Sequence, residues 1–193
     1  MAQEPTPHAP DPTAPDPGTV RSTPRRRTRA YTPRCDGCGL PLPYCVCARF
    51  SRVAAVTRVV VVMHRNERLK MTNTGRLVRQ LLEGAEVRVR GTLTTVERPL
   101  PTGRRLVLFP GTAARELTED DRRPDNVLLV PDGSWSQARK LAQRDALLAE
   151  GEWVRLPDST APSAYRLRRN RRPGGVCTLE AIARTLGILE PDP

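Results

Sequence analysis

The chain has 193 residues, with 32 Lys and Arg against 21 Asp and Glu and a formal net charge of +11 at pH 7. That length holds one α/β domain with a modest appendage and excludes two full domains, while the basic surplus favours a polyanionic partner. Only Lys70 and Lys140 are lysines; codon bias in a GC-rich genome accounts for arginine over lysine, but not for the excess over acids. No stretch is long and apolar enough to span a membrane, and "MAQEPTPHAP" has neither the charged start nor the apolar centre of a signal peptide. The expected location is therefore cytoplasmic.

In chain order, residues 1–33 are dominated by Pro, Ala, Thr and Arg, with no apolar periodicity, and read as a disordered tail. Its "RRRTR" (residues 25–29) suits RNA phosphates and plain solubility equally well. Residues 34–50 hold "CDGCGLPLPYCVC", which places Cys35, Cys38, Cys45 and Cys47 in a C-x-x-C followed by a C-x-C. Four thiolates so spaced suit one tetrahedral, structural zinc ion. Disulfides are disfavoured in a cytoplasmic chain, and an iron–sulfur cluster is the sharper rival. The remainder, residues 51–193, alternates strands and helices. "TRVVVVMH" (57–64) is a β-branched run suited to a strand buried on both faces. "NTGRLVRQLLEG" (73–84) predicts a helix stopped by Gly84. "AEVRVRG", "RLVLFPG", "DNVLLVPDG" and "EWVRLP" predict further strands, a helix runs from about Trp135 to Glu150, and "TLEAIARTLGILE" closes the chain. This alternation points to a mainly parallel sheet covered by helices on both faces.

Three loops carry the candidate chemistry. "VPDGSWSQARK" places Asp132 at the carboxyl end of a buried strand, where open α/β sheets bind ligands, with Trp135 beside it as a ring to stack on a base. The same letters satisfy a plainer role: a turn at residues 131–133, then a capping box from Ser134 to Gln137. "HRNERLKMTNTGRL" brings His64, Glu67, Asn73 and Arg76 to another strand end, ahead of a helix N-terminus suited to an anion. "SAYRLRRNRRPGGVCTLEA" crowds Arg166, Arg168, Arg169, Arg171 and Arg172 into one loop, which suits phosphate. Cys177 reads most simply as a small buried residue.

The cysteine knuckle, "NTGRL", "LFPG", "DGSW" and "SAYRLRR…GG.CTLEAIA" occur in the order seen in DTW-domain proteins, the tRNA-uridine aminocarboxypropyltransferases, and the chain resembles that family from Arg34 to about Leu189. The resemblance implies a SPOUT-like α/β fold and leaves open whether it is knotted. It implies transfer of the 3-amino-3-carboxypropyl group of S-adenosylmethionine to a uracil imide nitrogen of tRNA. Asp132 and Trp135 would then be catalytic. Phe109, Pro110, Gly111, Ser134, Thr178, Leu179 and Glu180 would hold the co-substrate, and His64, Asn73, Arg76 and the arginines of residues 166–172 would meet tRNA. Zinc would be structural, and no obligate protein partner is evident. Two positions depart from the family pattern: Ser134 stands for the name-giving Thr, and Cys177 for a Ser or Thr. The absence of a G-x-G-x-x-G fingerprint argues against a Rossmann methyltransferase. The alternatives are a SPOUT-type RNA methyltransferase and a non-catalytic zinc-containing RNA-binding protein.

Overall fold

The strands form because β-branched and apolar residues run without interruption through them, and alternate side chains then enter opposite layers. In the computed structural model, which describes residues 32–92, 98–158, 161–168 and 174–190, the six strands are β1 (Arg58–His64), β2 (Glu86–Arg90), β3 (Arg104–Leu108), β4 (Arg115–Glu116), β5 (Asn126–Asp132) and β6 (Glu152–Arg155). They make one sheet in the order β2-β1-β5-β3-β6-β4, and every pairing is parallel. The helices are α1 (Val78–Leu81), α2 (Trp135–Arg144), α3 (Ala146–Ala149) and α4 (Thr178–Leu189).

The period of two divides the core cleanly. Val59, Val61, Met63, Leu128 and Val130 pack with Val78 of α1 and with Ile182 and Leu189 of α4. Val60, Val62, Val127 and Leu129 point the other way and pack with Leu141 of α2 and Leu148 of α3. Helices therefore cover both faces, as the alternation requires.

Two helices are shorter than the periodicity predicts. The expected helix over residues 73–84 is a 3₁₀ turn, Gly75–Leu77, followed by the single turn of α1. Leu82 leaves in extended backbone, and Glu83 N–H turns to Val53 O. The helix from Trp135 breaks at Asp145, whose carboxylate caps the next turn by accepting from Leu147 N–H at 3.0 Å. An aspartate competing for backbone donors in this way interrupts a helix that apolar spacing alone would continue. The short edge strand β4 carries no sequence pattern of its own.

Candidate active site

Alternation along β5 fixes where its last residue points. Leu128 and Val130 face α4, so Asp132 does too, two residues further on. It is 2% exposed, and both carboxylate oxygens are engaged. Asn73 Nδ2 donates to Oδ2 at 2.6 Å, and Thr178 Oγ1, at the first position of α4, donates to Oδ1 at 2.5 Å. Each oxygen keeps a further lone-pair direction. Burial pushes the Asp132 carboxyl above the ordinary aspartate range; Thr178 and Asn73 oppose the rise, the nearby Glu67 charge adds to it, and Arg168 lowers it. Gly75 passes so close that a Cβ there would sit 2.8 Å from Asp132 Oδ2. That glycine is needed for close approach, since its backbone φ is not positive.

Asp132 borders a cavity of about 630 Å³ at the carboxyl ends of β3, β5 and β6. One wall is aromatic, made by Phe109 and Trp135, with Trp153 packed behind Phe109. Phe109 lies 6.2 Å from Trp135, tilted by 58°, and 6.2 Å from Trp153 at 88°, both within the range of favourable ring pairs. Both tryptophans of the chain thus gather around one of its two phenylalanines. Tyr165, Arg168 and residues 174–178 close the other side.

Of the residues singled out from sequence, Asp132, Trp135, Phe109, Pro110, Thr178 and Arg168 line this cavity. Asn73 stands behind Asp132, buried. Gly111 backs the Trp153 ring, where a Cβ would meet the indole at 3.8 Å. Ser134 is exposed and caps α2: its Oγ accepts from Gln137 N–H, and its own N–H donates to Gln137 Oε1 at 2.8 Å. Leu179 packs against the core. Glu180 caps α4 from within, accepting from Cys177 N–H at 2.8 Å, Ala164 N–H at 2.7 Å and Ser163 Oγ at 2.6 Å. Burial opposes its charge, but these donors prevail and hold its carboxyl down to about 2. His64 ends β1 and accepts from Asn66 N–H through Nδ1 at 3.2 Å. Arg76 turns towards the cysteine segment and donates to Arg68 O. Its guanidinium fills the space that a side chain on Gly39, at φ 75°, would need. Arg166 is exposed, while Arg169, Arg171 and Arg172 lie outside the described residues. The sequence gives no site role to Tyr165, Arg155 and Arg184, which line the cavity; it places Glu67 in a candidate loop but does not disclose its full burial beside Asn73. A glutamate in a basic loop carries no pattern that announces burial.

The four cysteine sulfurs lie within 4.8 Å of one another. Neighbouring sulfurs are 3.4 Å (Cys45–Cys35), 3.6 Å (Cys35–Cys47) and 3.9 Å (Cys38–Cys45) apart. Sulfurs placed 2.3 Å from a tetrahedral centre are about 3.8 Å apart, so the cluster could hold a metal ion. No disulfide joins these four cysteines. Backbone N–H groups and neighbouring sulfurs draw Cys35 down to about 6, while burial and the other thiols push Cys47 up to about 12. A shared cation removes that conflict by favouring all four thiolates.

A parallel α/β sheet whose strand ends open on a cavity with a buried carboxylate and an aromatic wall has the layout of a ligand crevice at its carboxyl edge. The family model described as the DTW domain matches residues 32–193, and the chain belongs to the DTW-domain family. It is 28% identical over 173 residues to the tRNA-uridine aminocarboxypropyltransferase 2 of Macaca fascicularis, covering 82% of this chain and 57% of that protein. The tRNA-uridine aminocarboxypropyltransferase A of Arabidopsis thaliana is 26% identical over 192 residues, with 82% and 73% covered. The tRNA-uridine aminocarboxypropyltransferase 2 of Drosophila melanogaster is 26% identical over 188 residues, with 91% and 72% covered. The chain spans less than two thirds of the length of the mammalian relatives. No solved structure matches it. No helix among the described residues is long and apolar enough to cross a membrane.

Proposed function

We propose that this protein is a cytoplasmic tRNA-uridine aminocarboxypropyltransferase that uses S-adenosylmethionine. The observation that carries this is Asp132: a buried carboxylate with a raised pKa, held by Asn73 and Thr178 at the edge of a cavity with an aromatic wall. S-Adenosylmethionine supplies an electrophilic carbon beside its sulfonium, and methylthioadenosine leaves. The uracil imide is a poor nucleophile until it loses its proton, and Asp132 is the group to take it. A raised pKa makes Asp132 a stronger base than an ordinary aspartate. Trp135 and Phe109 offer an apolar wall, which favours loss of the sulfonium charge. Backbone groups at residues 109–111 and the start of α4 hold the co-substrate, with Ser134, Leu179 and Glu180 setting the caps and packing of those segments. Arg166, with Arg169, Arg171 and Arg172 of the same loop, meets the tRNA, with His64 at the margin; Arg76 is turned to the cysteine segment and does not. The fold is SPOUT-like, and Cys35, Cys38, Cys45 and Cys47 hold a structural zinc ion.

Mass analysis of tRNA nucleosides after incubation with S-adenosylmethionine tests the proposal. A uridine carrying an aminocarboxypropyl group, with methylthioadenosine released in equal amount, is the expected result. A methylated uridine would identify a methyltransferase, and unmodified tRNA would leave only an RNA-binding role.

A further inference from the structure

Glu67 has no accessible surface, yet the proposed chemistry leaves it without a task. A buried charge is tolerated only when its oxygens are paired. Here Lys70 Nζ lies 2.5 Å from Oε1 and Arg168 Nη2 lies 2.6 Å from Oε2. Asn73 Nδ2 reaches Oε2 at 3.5 Å while donating to Asp132 at 2.6 Å. The amide cannot be turned round, because Asn73 Oδ1 accepts Arg76 N–H at 3.0 Å. One asparagine thus stands between two buried acids in a single orientation. Arg168 is committed to the same loop: its Nε donates to Thr72 Oγ1 at 3.0 Å, and Tyr165 OH donates to Thr72 O at 2.8 Å.

We infer that Glu67 and Arg168 are positioning residues for Asp132: their ion pair pins the loop of residues 67–74 so that Asn73 presents its amide to the carboxylate, and Arg168 is a strut, not a phosphate contact. The inference rests on Asp132 being the base. It also changes what the arginine-rich loop does, since the half-buried Arg168 ties RNA-facing chain to the reacting centre.

Arg168→Ala separates the two roles. A strut predicts a single-turnover rate at least tenfold lower, tRNA affinity within about twofold, and an unchanged salt dependence of binding. A phosphate contact predicts the reverse, with the slope of log K against log salt falling by about 0.9; that result overturns the inference. Glu67→Gln adds a readout that packing alone does not move. The charged groups facing Asp132 are Glu67 and Arg168, with Lys70 acting through Glu67, while Arg155 and Asp158 pair with each other at 3.7 Å where they line the cavity. Removing the Glu67 charge leaves Arg168 unbalanced, so the Asp132 titration moves to lower pH. Carboxyl ¹³C NMR, assigned with Asp132→Asn, reads this without any turnover. A downward shift with no transfer by the wild type supports the positioning and defeats the assigned reaction. Transfer by the wild type with an unmoved Asp132 defeats the positioning and leaves the reaction standing.

Discussion

A base must be ionised to act, yet burial opposes ionisation, and in the role proposed for it Asp132 would have to meet both demands. Because its folded pKa is raised, the folded chain holds this proton more tightly than the unfolded chain does. Its contribution to stability is therefore present at low pH and lost as pH rises through the folded value. Activity has the opposite sign: transfer should climb as pH rises through the same raised value and then level. A pH–rate profile of single-turnover transfer checks this, and a limb at or below the ordinary aspartate range contradicts it. Asp132→Asn removes the charge with little cost in packing, since the Thr178 hydroxyl can turn to accept from the new amide while the carbonyl keeps Asn73. Thermal unfolding should move by no more than about 1 kcal/mol in stability. Gly75→Ala should act on the same atoms from the other side, because its methyl would crowd Asp132 Oδ2. Loss of transfer by about tenfold or more, with tRNA affinity retained, is the expected outcome.

At the scale of elements, the capping box of α2 makes Ser134 a stability residue. Ser134→Ala should cost about 1 kcal/mol by denaturant unfolding and leave the cavity intact. How much of this was legible in the sequence varied with the physics. Five of the six strands are legible to within a few residues, since an unbroken β-branched run has few other uses, whereas β4 is not; the position of Asp132 at the end of β5 follows directly. The break at Asp145 was missed because apolar spacing continues through it, and only the competing carboxylate cap stops the helix. The convergence of Asn73, Gly75 and Thr178 on Asp132 joins segments distant in sequence, and no local pattern carries such information. The cysteine knuckle belongs to this scale too. Asp36 O accepts from Arg79, and Gly39 lies against Arg76, so a metal ion held by the four cysteines would support the loop leading into α1. Elemental analysis should give about one zinc per chain, and chelation should lower the melting temperature measurably. A folded, metal-free and equally stable protein would falsify the zinc assignment.

For the whole molecule, one sheet serves both stability and function. Its amino-terminal side carries an ion-pair network in which Asp121, 4% exposed, meets Arg115 at 2.5 Å and Arg104 at 3.0 Å. The hydrogen bond from Arg115, ahead of burial that opposes it and aided by Thr118 N–H and Arg104, holds the Asp121 carboxyl well below the aspartate range. That contribution is full above the unfolded value and lost as pH falls below it, the reverse of Asp132. Asp121→Asn should therefore cost about 1–3 kcal/mol at neutral pH, and the deficit, read by denaturant unfolding, should shrink as pH falls. The carboxyl side of the same sheet keeps the ionisable group whose burial is a liability for the fold. Chemistry there is the central claim, and the most direct measurement compares wild type with Asp132→Asn for aminocarboxypropyl-uridine in tRNA, counted by mass spectrometry under single-turnover conditions. A fall of about a hundredfold or more, with binding of S-adenosylmethionine and tRNA unchanged, is predicted. Near-normal transfer by the asparagine variant at neutral pH would contradict the account and place the base elsewhere in the cavity.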